Sequence, residues 1–181
     1  QADEMDAKKF IENGMRNKSI DDLRALVDAA NTRAGALFPH LVPYAPRVRI
    51  APMENLPNVA GMYDEQTQSV IVNSKAKLKM TEEQIAGLIS LERARGLLYS
   101  PLGQQFTDNF ELEPHQAEWW DKFYLPKGVD APKDLPGRQK ILKSTILSRL
   151  LVGDQMPEGA PPLNANQYAV GDLLGSYSAR K

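Results

Sequence analysis

An α+β fold is predicted: a small antiparallel sheet packed against helices, with an extended C-terminal tail. Three observations carry it. Short β-branched runs flank a polar turn in the first half of the chain, capped amphipathic stretches surround them, and the pattern stops at a Gly/Pro-rich end. At 181 residues, 42% hydrophobic and 25% charged, the chain has ordinary globular usage and fits one domain. We assign that domain to residues 1–152 and the tail to 153–181, and find no internal repeat.

Residues 3–15 read as a first helix, with Met5, Lys9, Phe10 and Ile11 partly on one side. Ser19 is a good N-cap, and Asp21 and Asp22 suit the positive end of a helix dipole. Ile20, Leu23, Val27, Ala30 and Ala34 then recur at helical spacing up to Gly35, giving a helix over 20–34. Five prolines break the next stretch, where Arg47–Ala51 alternates as a strand. Residues 59–63 and 69–73 flank Asp64-Glu65-Gln66-Thr67, which predicts a hairpin. A loop with Lys75, Lys77 and Lys79 follows. Thr81-Glu82-Glu83-Gln84 then matches a capping box, opening a helix to about Tyr99.

Pro114 suits the first turn of another helix, carrying Ala117, Trp120, Phe123 and Tyr124 and ending before Pro126. A helix over 138–152 follows, with Ile141, Leu142, Ile146, Leu150 and Leu151. From Gly153 onward the density of Gly, Pro, Asn and Ser predicts extended chain, with at most a turn of helix near Asp172-Leu173-Leu174.

Several chemistries have no raw material. Without cysteine there are no disulfides, thiolate sites or Cys nucleophiles, and the only imidazoles are His40 and His115. A net charge of −1 creates no global field for nucleic acid or anionic membrane. No apolar run approaches the roughly 20 residues of a membrane span. Nothing near Gln1 has the basic and apolar regions of a signal peptide. The chain begins without Met, as a processed protein or a fragment does.

Gly61-Met62-Tyr63-Asp64, Val70-Ile71-Val72-Asn73, Thr81-Glu82-Glu83-Gln84 and Ile89-Ser90-Leu91-Glu92-Arg93-Ala94-Arg95-Gly96 occur in that order. Over residues 47–126 this series resembles the core of zincin-like metallopeptidases of the phage and mobile-element type. That family carries His-Glu-x-x-His on the helix and often a third, acidic ligand on a later one. Glu113-Pro114-His115-Gln116-Ala117-Glu118 and Leu125-Pro126 fall about where that later helix would be. The resemblance implies a zincin-like core in which Leu91 and Arg95 stand at the imidazole positions and only a vestigial Glu92 remains. Leucine offers no lone pair and guanidinium is a permanent cation, so no metal and no cofactor is expected on this helix.

Glu92 shares a stripe with Ile85, Leu88, Leu91 and Arg95. One reading places Arg95 where the metal would lie, bridging Glu92 to Glu113 or Glu118 as a charge cluster. The other makes Glu92, Arg93 and Arg95 a solvated helical face. Trp119 and Trp120 are core or interface anchors. Lys127, Lys133, Arg138, Lys140, Lys143 and Arg149 outnumber Asp130 and Asp134 within 127–149, an interaction surface or a solvated face.

The expected function is non-catalytic: a structural or protein-interaction protein, a pseudo-peptidase serving as a virion or assembly component. Its partners would be protein subunits, met through the 153–181 tail. Two alternatives stand beside it. One is a metal-dependent hydrolase with Glu92 as general base and His115, Glu113 and Glu118 as ligands. The other is nucleic-acid binding through Lys140 and Lys143 of the basic segment.

Overall fold

A computed structural model describes residues 2–4, 14–123 and 132–179. Met5, Lys9, Phe10 and Ile11 of the first predicted helix lie outside the described residues, as do Tyr124, Leu125, Pro126, Lys127 and Asp130. The fold is α+β, and the chain divides into two compact units, Ala2–Arg93 and Ala94–Lys181.

In the first unit, Ser19 Oγ accepts the Asp22 N–H and opens α1 (Ile20–Leu37). Its buried stripe is Leu23, Val27, Ala30 and Ala34, whereas Ile20 is exposed. Gly35 does not end the helix. It continues to Leu37 and stops before Pro39, whose ring disfavours helical backbone at the preceding Phe38.

Four strands form one sheet: β1 (Ala2–Glu4), β2 (Arg47–Ala51), β3 (Val59–Asp64) and β4 (Ser69–Asn73). Asp3 and Glu4, expected in a helix, lie in β1 and pair with β3. The β3–β4 hairpin is antiparallel, with Met62 opposite Ile71. The sheet is mixed, however, and not wholly antiparallel, because β2 runs parallel to β4 with Arg47 opposite Ser69. The strand order is β1-β3-β4-β2, so the loop from β2 to β3 must cross the end of β4.

Asn73, fully buried at that end, holds the crossing. Its Oδ1 accepts the Met53 N–H at 2.8 Å and the Lys75 N–H at 2.9 Å. Its Nδ2 donates to Leu56 O at 3.0 Å and Val59 O at 2.9 Å. One amide thereby satisfies backbone groups that the crossing takes out of any ladder.

The predicted capping box opens α2 (Glu82–Tyr99): Gln84 N–H donates to Thr81 Oγ1 at 3.2 Å, and Thr81 N–H to Gln84 Oε1 at 2.9 Å. The boundary between the two units falls inside this helix, after Arg93.

The second unit adds α3 (Gln104–Asn109), α4 (Pro114–Phe123), α5 (Leu135–Val152) and α6 (Ala165–Ala179). Asp134 caps α5 by accepting the Gly137 N–H at 2.9 Å, so the helix starts three residues before the predicted 138. Gly153, at φ 71°, closes it in the left-handed conformation.

The largest departure from expectation is the end of the chain. Residues 165–179 are helical where extended chain was expected, and α6 packs on α5 and α3 of its own unit. Gly171, which reads as a helix breaker, sits where α6 meets α5: a Cβ there would lie 2.9 Å from Leu150 Cδ1. Close approach is what the missing side chain permits.

Replacing Asn73 by Ala should cost roughly 2–4 kcal/mol, because several buried backbone groups lose their partner together. Asn73→Asp should cost about as much, since a carboxylate cannot donate to Leu56 and Val59. Urea unfolding of both variants is the measurement, and a midpoint unchanged from the parent would refute the role.

Asp64, at the hairpin turn, accepts from Thr67 Oγ1 at 2.6 Å and from the Gln66 N–H at 3.1 Å, with Arg49 Nη2 at 3.4 Å. The Thr67 hydroxyl first, then the Gln66 amide and the Arg49 cation, hold its carboxyl below the ordinary aspartate value. The stabilisation is complete above the unfolded-state pKa of about 3.9 and is lost as pH falls through the lowered folded-state value. Acid titration of the unfolding midpoint should therefore be shallower below about pH 4 in Asp64→Asn than in the parent.

Candidate functional site

Every residue of α2 from Leu88 to Tyr99 is buried. A helix covered on all sides is ordinarily apolar all round, so each polar group on it needs an internal partner. Glu92 is 0% exposed, and Arg93 and Arg95 are each 2% exposed. These values overturn the expectation of a solvated helical face.

In the first unit, Arg93 Nε donates to Ala45 O at 2.9 Å, and Nη2 donates to Asn31 Oδ1 on α1 at 2.8 Å. Both acceptors are neutral. Burial lowers the basicity of this guanidinium from its ordinary value, the direction desolvation gives to a cation. Its reach joins α1, the segment before β2, and α2 within one unit.

In the second unit, Arg95 Nη1 donates to Thr145 Oγ1 on α5 at 3.0 Å. Thr145 is 3% exposed, so this contact is a core hydrogen bond from a charged donor. Of the acids expected in the charge cluster, Glu92 is buried on the same helix as Arg95, whereas Glu113 and Glu118 lie elsewhere. Glu113 and Glu118 are both exposed, and neither meets Arg95. Glu113 accepts from Asn164 Nδ2 at 2.9 Å, and Glu118 lines a cleft of about 190 Å³ between α4 and α5. That cleft has Ala117, Leu135 and Leu142 as apolar walls and the Asp121–Arg138 ion pair on its polar side. Glu113 turns away because it sits immediately ahead of α4, where its backbone and side chain serve the helix start.

That helix start has a twin. Glu113 N–H donates to Gln116 Oε1 at 2.9 Å at the beginning of α4, and Asn164 N–H donates to Gln167 Oε1 at 2.8 Å at the beginning of α6. Asn164 Oδ1 completes its box by accepting the Gln167 N–H at 2.9 Å. The two N3 glutamines then pair with each other: Gln116 Nε2 reaches Gln167 Oε1 at 2.9 Å, and Gln167 Nε2 reaches Gln116 Oε1 at 2.6 Å. Their remaining donors go to Pro162 O and Glu111 O. Both glutamines are buried, so the pair is a dry, fully connected polar joint between two helix N-termini. None of Gln116, Asn164 and Gln167 stood out in the sequence as a site residue. The shared spacing, a capping residue followed by Gln three positions on, is the signal that could have found them.

The remaining expected site residues divide by burial. Trp120 is 0% exposed and takes the core role, while Trp119 is half-buried, with ring centroids 5.3 Å from Trp120 and 5.6 Å from Phe123. Lys140 lies over the Tyr99 ring at 4.7 Å, a cation–π arrangement, and Lys143 is half-buried on the same helix. Arg138 and Arg149, the arginines of the basic segment, face Asp121 and Asp154. Much of the positive excess expected there is thus neutralised within the unit.

His115 is exposed on α4, and half-buried His40 meets Phe38 with ring centroids 6.2 Å apart. Among the described residues no three His, Asp or Glu side chains gather to hold a metal ion, and no helix is long and apolar enough to cross a membrane. Compared with family models, with curated proteins and with solved structures, the chain matches none.

The glutamine joint makes a direct prediction. Gln167→Leu strands Gln116, Glu111 O and the Asn164 N–H, and should cost roughly 2–4 kcal/mol, the penalty for several buried groups left unpaired. Amide exchange over 165–179 should accelerate while α5 keeps its protection. Unchanged exchange across α6 would show that the joint does not hold the helix.

Proposed function

We propose that this chain is a non-catalytic structural or protein-interaction protein on a degenerate zincin-like scaffold, serving in a phage virion or its assembly. One observation carries the reading: guanidinium groups on α2 are buried and already spent on internal partners. Arg95, at one of the two imidazole positions the resemblance implies, is bonded to Thr145, and Arg93 beside it is bonded to Ala45 O and Asn31. A permanent cation held in such a place repels a metal ion and leaves the adjacent carboxylate no Lewis acid to work with. Glu92, at 0% exposure, is also out of reach of a substrate in this conformation.

The second unit supports an interaction role in its own way. Phe123, Leu135, Tyr168 and Leu173 are 61%, 66%, 51% and 64% exposed, four large apolar side chains on α4, α5 and α6. Such side chains, aromatics above all, are the anchors that protein partners cover. The expectation that the C-terminal segment itself reaches a neighbouring subunit takes a different form here. The segment is a helix seated on its own unit, and Tyr168 and Leu173 on its outer side are what a neighbouring protein would meet.

The deciding experiment is metal content. The purified protein, dialysed against zinc and then against buffer, should retain well under one zinc per chain and should cleave no peptide in a chelator-sensitive way. Near-stoichiometric zinc that disappears in His115→Ala, with cleavage blocked by chelators, would replace this reading with the metal-dependent hydrolase.

A further inference from the structure

Two stretches far apart in sequence bring five cations together on the first unit. Residues 74–81 contain Lys75, Lys77 and Lys79 and no acid, and residues 14–20 contain Arg16 and Lys18 and no acid. The Met15 N–H donates to Ala76 O at 3.0 Å, which joins the stretches side by side. Gly14, at φ 29°, makes the approach possible, since a Cβ there would lie 2.3 Å from the Lys77 carbonyl carbon. On the other side Lys77 N–H donates to Pro57 O at 2.9 Å, in a loop of residues 52–58 that carries a single acid, Glu54.

The lysines are held as a comb. Ala76, Leu78 and Met80 between them are 0%, 0% and 3% exposed, while Lys77 and Lys79 are exposed and Lys75 is half-exposed. Burial of these three apolar side chains anchors the turn and bend that carry the lysines and leaves Lys77 and Lys79 in solvent. Arg16 is exposed and Lys18 half-exposed, and none of the five forms an ion pair among the described residues. The flanking acids Glu82 and Glu83 are drawn to Arg33, at 3.6 Å and 3.9 Å.

We propose that this comb, Lys75, Lys77 and Lys79 with Arg16 and Lys18, binds the phosphate backbone of a nucleic-acid duplex without reading its sequence. Four residues of chain separate Lys75 from Lys79, so the three lysines span at most about 14 Å. A duplex presents one charge per ~1.7 Å of axis, or about eight over that length, so several phosphates face the comb at once. The segment offers no exposed apolar side chain between its lysines. It therefore lacks the wedge an anionic bilayer would bury and the anchor an acidic protein partner would need. It also carries no aromatic ring for stacking on bases, which leaves the backbone as the ligand. These residues are not those of the basic helix, and the proposal stands whichever way the zinc experiment falls.

The test is fluorescence anisotropy of a labelled 20-base-pair DNA duplex titrated with the full chain at 50–200 mM salt. Neutralising five phosphates gives a log–log salt slope of about −4.5, so affinity should fall about 500-fold across that range. K75Q/K77Q/K79Q should reduce the slope to about −2 and R16Q/K18Q to about −3, each change lying on exposed or half-exposed side chains. K140Q/K143Q on α5 should bind as the parent does. Vesicles containing phosphatidylserine serve as the competing arm. No DNA binding at 50 mM salt, equal binding by the folded comb variants, or binding to the vesicles alone would each overturn the proposal.

Discussion

The constraint on which much of this structure turns is the complete burial of α2 from Leu88 to Tyr99. A helix with no solvent face cannot carry charge without dedicated partners, yet this one carries Glu92, Arg93 and Arg95. Breaking one partner of a buried charged group is far more damaging than never having had it, because the remaining charge is stranded. The surrounding elements are consequently tied to the helix by specific atoms. In the first unit Ala45 O and Asn31 are fixed by what Arg93 requires, and in the second Thr145 is fixed by Arg95. Alanine at Asn31 or Thr145 would pack acceptably but take away the side-chain oxygen that a guanidinium donor uses, whereas Ala45 accepts through its backbone carbonyl.

The same economy governs the C-terminal unit, where polar groups substitute for a large apolar interface. The inner stripe of α6 runs Gln167, Gly171, Leu174 and Ser178, of which only Leu174 is a large hydrophobe. Hydrophobic burial along such a stripe is modest, and helices of this length are marginal on propensity alone. Reciprocal amide bonds between Gln116 and Gln167 supply direction that a greasy contact would lack. They fix the start of α6 against the start of α4, and Gly171 then lets the helix lie close to Leu150.

What could be read in the sequence follows from which forces write themselves into a pattern. β3, β4, α1, α4, α5 and the capping box of α2 were legible because apolar periodicity and capping chemistry are local. The parallel pairing of β2 was not, since strand order depends on Asn73 catching a crossing loop, a long-range event with no periodic trace. The last helix was hidden because, apart from Leu174, its inner stripe is made of Gln, Gly and Ser, residues that read as loop. For the candidate site, the identities of Glu92 and Arg95 could be picked out, but the partner could not. Charge complementarity pointed to Glu113 or Glu118, both of which are exposed elsewhere, and the hydroxyl of Thr145 that Arg95 reaches carries no charge pattern to read.

Where the cations lie says more about this protein than how many there are. A net charge of −1 conceals three populations. Arg93 and Arg95 are interior and serve as ties. Arg138 and Arg149 are met by aspartates within their own unit, and Lys140 is spent on the face of Tyr99. Arg16, Lys18, Lys75, Lys77 and Lys79 differ from all of these in being wholly or partly presented to solvent, with the apolar residues between the three lysines buried. Surface charge that merely keeps a protein apart from its neighbours needs no such scaffolding, because flexible lysines on any loop would serve. Building Ala76, Leu78 and Met80 into the core beneath the comb, and admitting only glycine at position 14 beside it, costs sequence freedom that solvation alone does not require. Preorganised charge is what lowers the entropic cost of gripping a repeating polyanion, which is why the five cations of the first unit, and not the four of the basic helix, are the stronger candidates for contact with phosphate.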